Sequence, residues 1–506
     1  MSLHFTEEPI VWVTRPGSFK QRICAGCARV VDRSRRCGQC QRLSYCSKEC
    51  QKTDWERGAH RKECAFFQKL SEESMKEVLA NPRLRLVARL FIRLNSDSVP
   101  DGIQELRDAI KEAPDSGEEE KGCDKATFLD ANWCLFQQLF LNNSAFFRSV
   151  VTKEAFTEHL GKVSGNCFPL LEFDVDGAVD TGTGLFQRAA ALQHSCHQAH
   201  LRFTNHGSQL RVLFDPSLEA EARQRLEQGQ PLLINRLPYT DAPDRMPNRR
   251  RQRHLYAFTW ITCNCALCTL PPGQFSEHAL SKECADCESP LYYDPTQRAG
   301  EKVAQCKECG KVGGALEPEK VAGIRSALLR LQASLEHCDG AGPSLLSLPV
   351  LQLREEGRAH LHPLANVLMY QIDVAAFQYL CQLLAMGEME EVTEAAGLLA
   401  RELWLGLASF KAGSCSNDAT LALLASRLYD YKADQGDWAL EWLEKAVGIW
   451  EAIDSQHPIT AKLSKLRDDL LFADLQAEMD YEFDVDVDDP EGLLQESASS
   501  TPRSHG

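Results

Sequence analysis

Eight soft metal ligands crowd into residues 24–64: Cys24, Cys27, Cys37, Cys40, Cys46, Cys50, His60 and Cys64. Their spacing is C-x2-C, C-x2-C, C-x3-C and then H-x3-C. A segment this short has no room for an apolar core, so metal coordination must supply most of its folding energy. Eight such ligands suffice for two tetrahedral zinc ions. A disulfide-rich module is the competing reading, but no N-terminal stretch reads as a secretory signal.

The rest of the chain sets looser bounds. Its 506 residues allow several domains and a large core. A net charge of −16 disfavours nucleic acid as a partner of the whole surface. No apolar run reaches membrane-spanning length, so no membrane association is expected. With 21 cysteines and no secretory signal, metal sites in a reducing compartment, cytoplasm or nucleus, are expected.

The texture changes along the chain. Leu86, Leu90 and Leu94 recur at helical spacing and predict a helix over 71–94. The acidic stretch Ala113 to Asp124 reads as a loop. Trp133, Leu135, Phe136, Leu139, Phe140, Phe146 and Phe147 predict a packed helix pair, with these aromatics as core. From Asn166 to Ile234, short β-prone runs (Cys167–Phe173, His200–Phe203, Leu210–Phe214, Pro231–Ile234) alternate with Gly, Asp and Asn. Residues 317–478 read as helix almost throughout, with Leu440, Leu443, Val447 and Trp450 on one face. Their succession suggests stacked helix pairs of tetratricopeptide type. The tail from Met479 is acidic, then Ser/Thr-rich, and reads as disordered.

Two further cysteine groups follow. Cys263, Cys265 and Cys268 offer three ligands where tetrahedral zinc wants four. Cys196, in the middle of the β region, is the candidate fourth. Cys284, Cys287, Cys306 and Cys309 read as a four-cysteine zinc ribbon. The remaining Cys123, Cys134, Cys167, Cys338, Cys381 and Cys415 are isolated and read as small buried hydrophobes. Three to four zinc ions are therefore expected.

The run Cys24-Ala-Gly-Cys27, Cys37-Gly-Gln-Cys40, Tyr45-Cys46-Ser-Lys-Glu-Cys50, Trp55 and His60-Arg-Lys-Glu-Cys64 resembles a MYND zinc finger. That resemblance implies interleaved ligands: Cys24, Cys27, Cys46 and Cys50 on one ion; Cys37, Cys40, His60 and Cys64 on the other. Residues 161–268 resemble a SET core, through Gly184-Leu185-Phe186, Leu192-Gln193-His194-Ser195-Cys196 and Tyr239-Thr240-Asp241. Cys263, Cys265 and Cys268 resemble the post-SET zinc site, which in the family recruits the cysteine matching Cys196. The order of parts is similar to that of the SET-and-MYND (SMYD) protein-lysine methyltransferases. It implies an α+β multidomain chain with the finger inserted in a split SET β-fold. The division expected is N-terminal SET strand remnant 1–23, finger 24–64, helical insertion 65–160, SET core 161–262, post-SET segment 263–270, zinc ribbon 271–316, helical tetratricopeptide-like domain 317–478 and disordered tail 479–506.

The family chemistry moves a methyl group from S-adenosylmethionine to a lysine amine. The resemblance implies Tyr239 as catalytic tyrosine, and Gln193, His194 and Gly184 on the cofactor side. Three positions depart from the pattern. The family's G-x-G strand before the finger has no counterpart, since residues 1–23 hold one glycine, Gly17, and Thr6–Val11 resembles the second strand. Gln193 stands for the family asparagine, and His197-Gln198-Ala199 for its D-P-N. Counting forward from Gly229-Gln230-Pro231-Leu232 without a gap puts Arg236 in the tyrosine slot, whereas counting back from Cys263 favours Tyr239.

Two functions fit: a methyltransferase acting on a histone or non-histone lysine, or a non-catalytic scaffold whose finger binds proline-containing peptides. A monomer is expected. Nucleic-acid binding through Arg33, Arg35, Arg36 and the run Arg249-Arg250-Arg251-Gln252-Arg253 is the third, weaker option.

Overall fold

The computed structural model describes residues 3–15, 22–57, 59–96, 102–112, 125–174, 177–196 and 198–237, and shorter stretches between 251 and 484. Two strands precede the finger, β1 (Leu3–Glu7) and β2 (Val11–Thr14). Thr6–Val11 is thus not one strand but the end of β1, a connection through Pro9 and the start of β2; proline ends a ladder because it has no N–H.

The finger holds two small antiparallel ribbons, β3 (Arg22–Ile23) with β4 (Val30–Val31), and β5 (Arg35–Arg36) with β6 (Ser44–Tyr45). Helices α1 (Lys48–Glu56) and α2 (His60–Phe67) follow. Ser47 caps α1, its hydroxyl accepting from the Cys50 amide at 3.1 Å, which fixes Cys46 and Cys50 on one turn. The helix expected over 71–94 is two, α3 (Glu72–Ala80) and α4 (Pro82–Leu94). Pro82 explains the break: its ring excludes a preceding helical turn but suits a helix start. Beyond them, the helix Lys125–Phe136 widens into a π turn at Gln137–Leu141, and a short helix Ala145–Val150 follows. Phe136, Phe140 and Phe147 are buried together, with Phe136 and Phe140 stacked at 4.7 Å.

The helix Lys153–Asn166 leads into β7 (Cys167–Asp174) and β8 (Gly177–Leu185). With β2 they make a three-stranded sheet, order β2–β8–β7. A second sheet has the order β1–β11–β10–β12–β9, with β9 (Gln193–His194), β10 (Leu201–His206), β11 (Gln209–Phe214) and β12 (Leu233–Ile234). Its β12 runs parallel to both neighbours, pairing Leu233 with Gln193, Ile234 with His194 and Ile234 with Leu201. Parallel pairing needs a crossover, supplied by the helix Glu219–Glu227. Trp12, Phe168, Phe186, Leu201, Phe203, Val212 and Ile234 form the core between the sheets.

A four-stranded sheet then runs in sequence order, β13 (Lys282–Glu283), β14 (Pro290–Tyr293), β15 (Val303–Cys306) and β16 (Val312–Ala315). The described C-terminal helices include Ser347–His360, Val367–Ala385, Gly436–Asp454 and Pro458–Asp484. The last continues past Met479, where the disordered tail was expected to begin; residues 485–506 lie outside the described set, as does the loop at 113–124. Leu443, Val447 and Trp450 are buried in a core that also takes Leu171 and Phe173 from β7. The contact with the second sheet is polar: Asp454 accepts twice from Arg211, at 2.8 and 3.1 Å, and once from the Thr204 hydroxyl at 3.1 Å.

Candidate functional site: four cysteine clusters and a cavity between them

The cysteines and histidine singled out in the sequence converge in four groups whose ligand atoms lie within 4.8 Å of one another. Cys24, Cys27, Cys46 and Cys50 form the first, and Cys37, Cys40, His60 and Cys64 the second, so the ligands interleave. Cys196 joins Cys263, Cys265 and Cys268 across the fold, and Cys284, Cys287, Cys306 and Cys309 close the ribbon. Soft sulfur and imidazole donors in fours at this separation fit zinc. Of the leftover cysteines, Cys134 is exposed rather than buried and Cys167 is half-buried. Cys123, Cys338 and Cys415, and the Cys381 side chain, lie outside the described residues.

A buried ionic network ties the second group to β2. Cys40 Sγ lies 3.7 Å from His60 Nε2, while His60 Nδ1 faces the Glu63 carboxylate at 3.4 Å. Glu63 also accepts from Arg85 Nε at 2.5 Å and Arg89 Nη2 at 2.6 Å. Arg89 bonds Asp54 at 2.9 Å and the Trp12 carbonyl at 2.6 Å, and Arg85 bonds the Thr14 carbonyl at 3.0 Å. Burial alone would raise the Glu63 carboxyl, yet Arg85 and Arg89 hold it well below the usual carboxylate range. These groups are all buried, and a carboxylate on the far nitrogen of a ligating histidine orients the ring. None was singled out from the sequence. The signal was there: Arg85 and Arg89 fall at i and i+4 inside the leucine stripe of α4.

The third cysteine group borders a cavity of about 930 Å³. Its wall takes Glu105 and Arg107 from the segment between α4 and the helix Lys125–Phe136, Asn166 before β7, Leu192 to His194, and Ile261 to Asn264. Gln193 and His194 therefore face it; Gly184 does not. Gly184 lies in β8 between Trp12 of β2 and Phe168 of β7, where a Cβ would meet the Phe186 ring at 2.7 Å. Tyr239 lies outside the described residues.

The His194 ring is fully engaged. Nδ1 accepts from the Arg236 amide at 3.1 Å, which places the ring proton on Nε2, 3.1 Å from Cys196 Sγ. His194 thus spans from the turn after β12 to the third cysteine group. Arg236 itself is buried. Its guanidinium lies over Phe168 at 4.7 Å, and Nη2 donates to the Gly165 carbonyl at 3.0 Å.

The basic run at 249–253 would have to be exposed to meet nucleic acid. Arg251, its described arginine, is instead fully buried, with Nη2 directed at Cys268 Sγ at 3.8 Å, a cation set beside a thiolate cluster. Arg33, Arg35 and Arg36 on the finger are exposed. Among the described residues no helix is long and apolar enough to cross a membrane.

Fold and sites define a zinc-finger protein with a cysteine-clustered β core. The MYND finger family matches residues 24–64. Histone-lysine N-methyltransferase Smyd1 of Mus musculus is 24% identical over 256 residues, covering 49% of this chain and 47% of that protein. Histone-lysine N-methyltransferase ASHR1 of Arabidopsis thaliana is 26% identical over 332 residues, 63% of this chain and 61% of that protein. SET domain and MYND-type zinc finger protein 6 of Schizosaccharomyces pombe is 23% identical over 248 residues, 49% and 43% of the two chains. The chain thus spans between about two fifths and three fifths of the lengths of these relatives. Its finger matches the MYND family, and the longer likeness is to proteins named as histone-lysine methyltransferases and as a SET and MYND-type protein.

Proposed function

We propose that this chain is a protein-lysine methyltransferase of the SET-and-MYND type and that the 930 Å³ cavity is its S-adenosylmethionine cleft. The observation that carries this reading is the make-up of the cavity wall. Gln193 and His194, expected on the cofactor side from the sequence, line it together with the residues leading into the Cys263–Cys268 group. The donor set fits the ligand: Glu105 and Arg107 offer both charges for an amino-acid end, and Ala190, Ala191, Leu192 and Ile261 offer an apolar wall. When bound, S-adenosylmethionine supplies an electrophilic methyl carbon. The chain's part is orientation and the exclusion of water. His194, braced at both ring nitrogens, would hold its turn rigid and offer the backbone to the ligand. Tyr239, or Arg236 by the ungapped count, takes the tyrosine slot. The acceptor is a histone or other protein lysine.

Finer features belong to the same reading. They are a split SET β-fold, the eight-part domain division, a tetratricopeptide-like C-terminal array, zinc in all four groups, a finger that takes proline-containing peptides, a monomeric state and residence in cytoplasm and nucleus.

A tritium-labelled methyl donor, the zinc-loaded chain and a panel of histones and protein extracts test the proposal. Label in protein, lost with Tyr239→Phe or His194→Ala, supports it; no incorporation with either partner class sinks it. A second reading, a scaffold without catalysis, is favoured by one observation: the buried arginine Arg236 beside His194. On that reading, peptide capture survives at the finger and is lost with Cys46→Ala.

A further inference from the structure

Arg236 is a buried cation with no bonded anion among the described residues. Its guanidinium donates to a carbonyl, and among the described residues its Nε has no hydrogen-bond partner. Burial lowers its pKa to about 10, still charged at neutral pH; the Cys167 thiol pulls the value up and the Arg107 guanidinium pushes it down. Its neighbours behave differently. Arg107 on the cavity wall is paired with Glu112, and Glu105 accepts from Gln187 at 2.5 Å.

The position of Arg236 is what gives this charge a function. Its amide bonds His194, and its guanidinium bonds Gly165, the residue before Asn166; His194 and Asn166 both line the cavity. The charge therefore lies directly behind the cavity wall, bounded on its other side by the Phe168 ring. In such a setting a cation is poorly screened, and its field reaches into the cleft.

We propose that Arg236 is a specificity-determining residue that makes this cleft prefer the neutral thioether S-adenosylhomocysteine to the sulfonium S-adenosylmethionine. The inference rests on the cofactor reading above. The two molecules share adenosine and amino-acid ends and differ by one methyl group and one positive charge. A fixed cation behind the cleft wall repels the sulfonium and finds no such charge in the thioether. At an effective dielectric of ~20 and a separation within about 8 Å, the discrimination is roughly tenfold or more. The cleft would then hold the reaction's product more firmly than its methyl donor.

Calorimetric titration of the zinc-loaded full chain with each ligand separately tests this. The wild type should bind S-adenosylhomocysteine about tenfold more tightly or better. Arg236→Met, which keeps the stem and removes an uncompensated charge, should fold and bring the two affinities within about threefold. Arg236→Lys should restore the preference. A merely structural role for Arg236 would weaken both ligands together and leave their ratio unchanged. A ratio that does not move in Arg236→Met overturns the proposal while the cofactor cleft stands. Binding of neither ligand by folded, zinc-loaded wild type overturns both. Zinc content and a thermal melt of each variant establish folding.

Discussion

Glu63→Gln is the sharpest perturbation of the finger, because glutamine keeps the shape and removes only the charge. Glu63 and Asp54 together neutralise Arg85 and Arg89, and all four side chains are at most 4% exposed. The substitution leaves two buried guanidiniums facing one carboxylate. Breaking a buried pair by removing one partner costs about 3–5 kcal/mol, and no cavity term contributes here. The same carboxylate orients His60, so the second finger site should lose zinc affinity by roughly 10–100-fold. Tryptophan fluorescence in a urea series measures the first effect, with Trp12 and Trp55 on either side of the network. Zinc release to a chromogenic chelator measures the second. Glu72→Gln is the control: its pair with Arg42, at 2.6 Å, is exposed, and its loss should leave the urea midpoint unchanged. If Glu63→Gln matched this control in both assays, the network would be neither dry nor coupled to the metal, and the reasoning would fail.

Three further outcomes follow from the same kind of geometry. Burial lowers His457 to about 4, with its Nε2 set 2.9 Å from the Asn205 carbonyl. The unfolded chain takes up a proton near pH 6.5 that the folded chain refuses, so stability is full above that pH and falls by about 3 kcal/mol as pH drops to 4. Urea midpoints at pH 7 and pH 4 should therefore differ more in wild type than in His457→Gln; equal differences refute the assignment. Asp454→Ala strands Arg211 at the junction of β11 with the C-terminal helices and should cost about 3 kcal/mol, read as faster limited proteolysis near 454. A Cβ at Gly26 would stand 2.4 Å from the Cys50 carbonyl oxygen, inside the first cysteine group. Gly26→Ala should lower the zinc content of the purified protein, and full occupancy would refute the close approach.

The parts legible in the sequence are those where one short segment carries its own constraint. Ligand spacing alone exposed the finger and the ribbon, because their metal groups lie within a few tens of residues. Short β-prone runs marked β7, β10 and β11 because each strand has a buried face of its own. What stayed hidden depends on residues distant in the chain. Arg85 and Arg89 carry no mark in the sequence of the carbonyls of β2 and the carboxylate of α2 that they meet in the fold. Arg251 belonged to the run offered for nucleic acid, and nothing near it in sequence announces Cys268 beside it. No local pattern encodes either encounter, since a buried cation is acceptable only in the presence of partners that the fold supplies.

Arg236 differs from both. Arg85 and Arg89 are buried with carboxylates, and Arg251 with a thiolate cluster, so each is explained by its partners. Among the described residues, Arg236 is buried with a carbonyl, a ring and one unbonded nitrogen. Stability alone would favour an apolar residue there, because an uncompensated buried charge costs several kcal/mol at roughly any reasonable dielectric. β12 pairs with β9 in a register that brings the Arg236 amide onto His194, so the backbone position is fixed whatever the side chain. The charge is therefore a property of this site that folding does not require, which is the reason to look for its purpose in what the adjoining cleft binds.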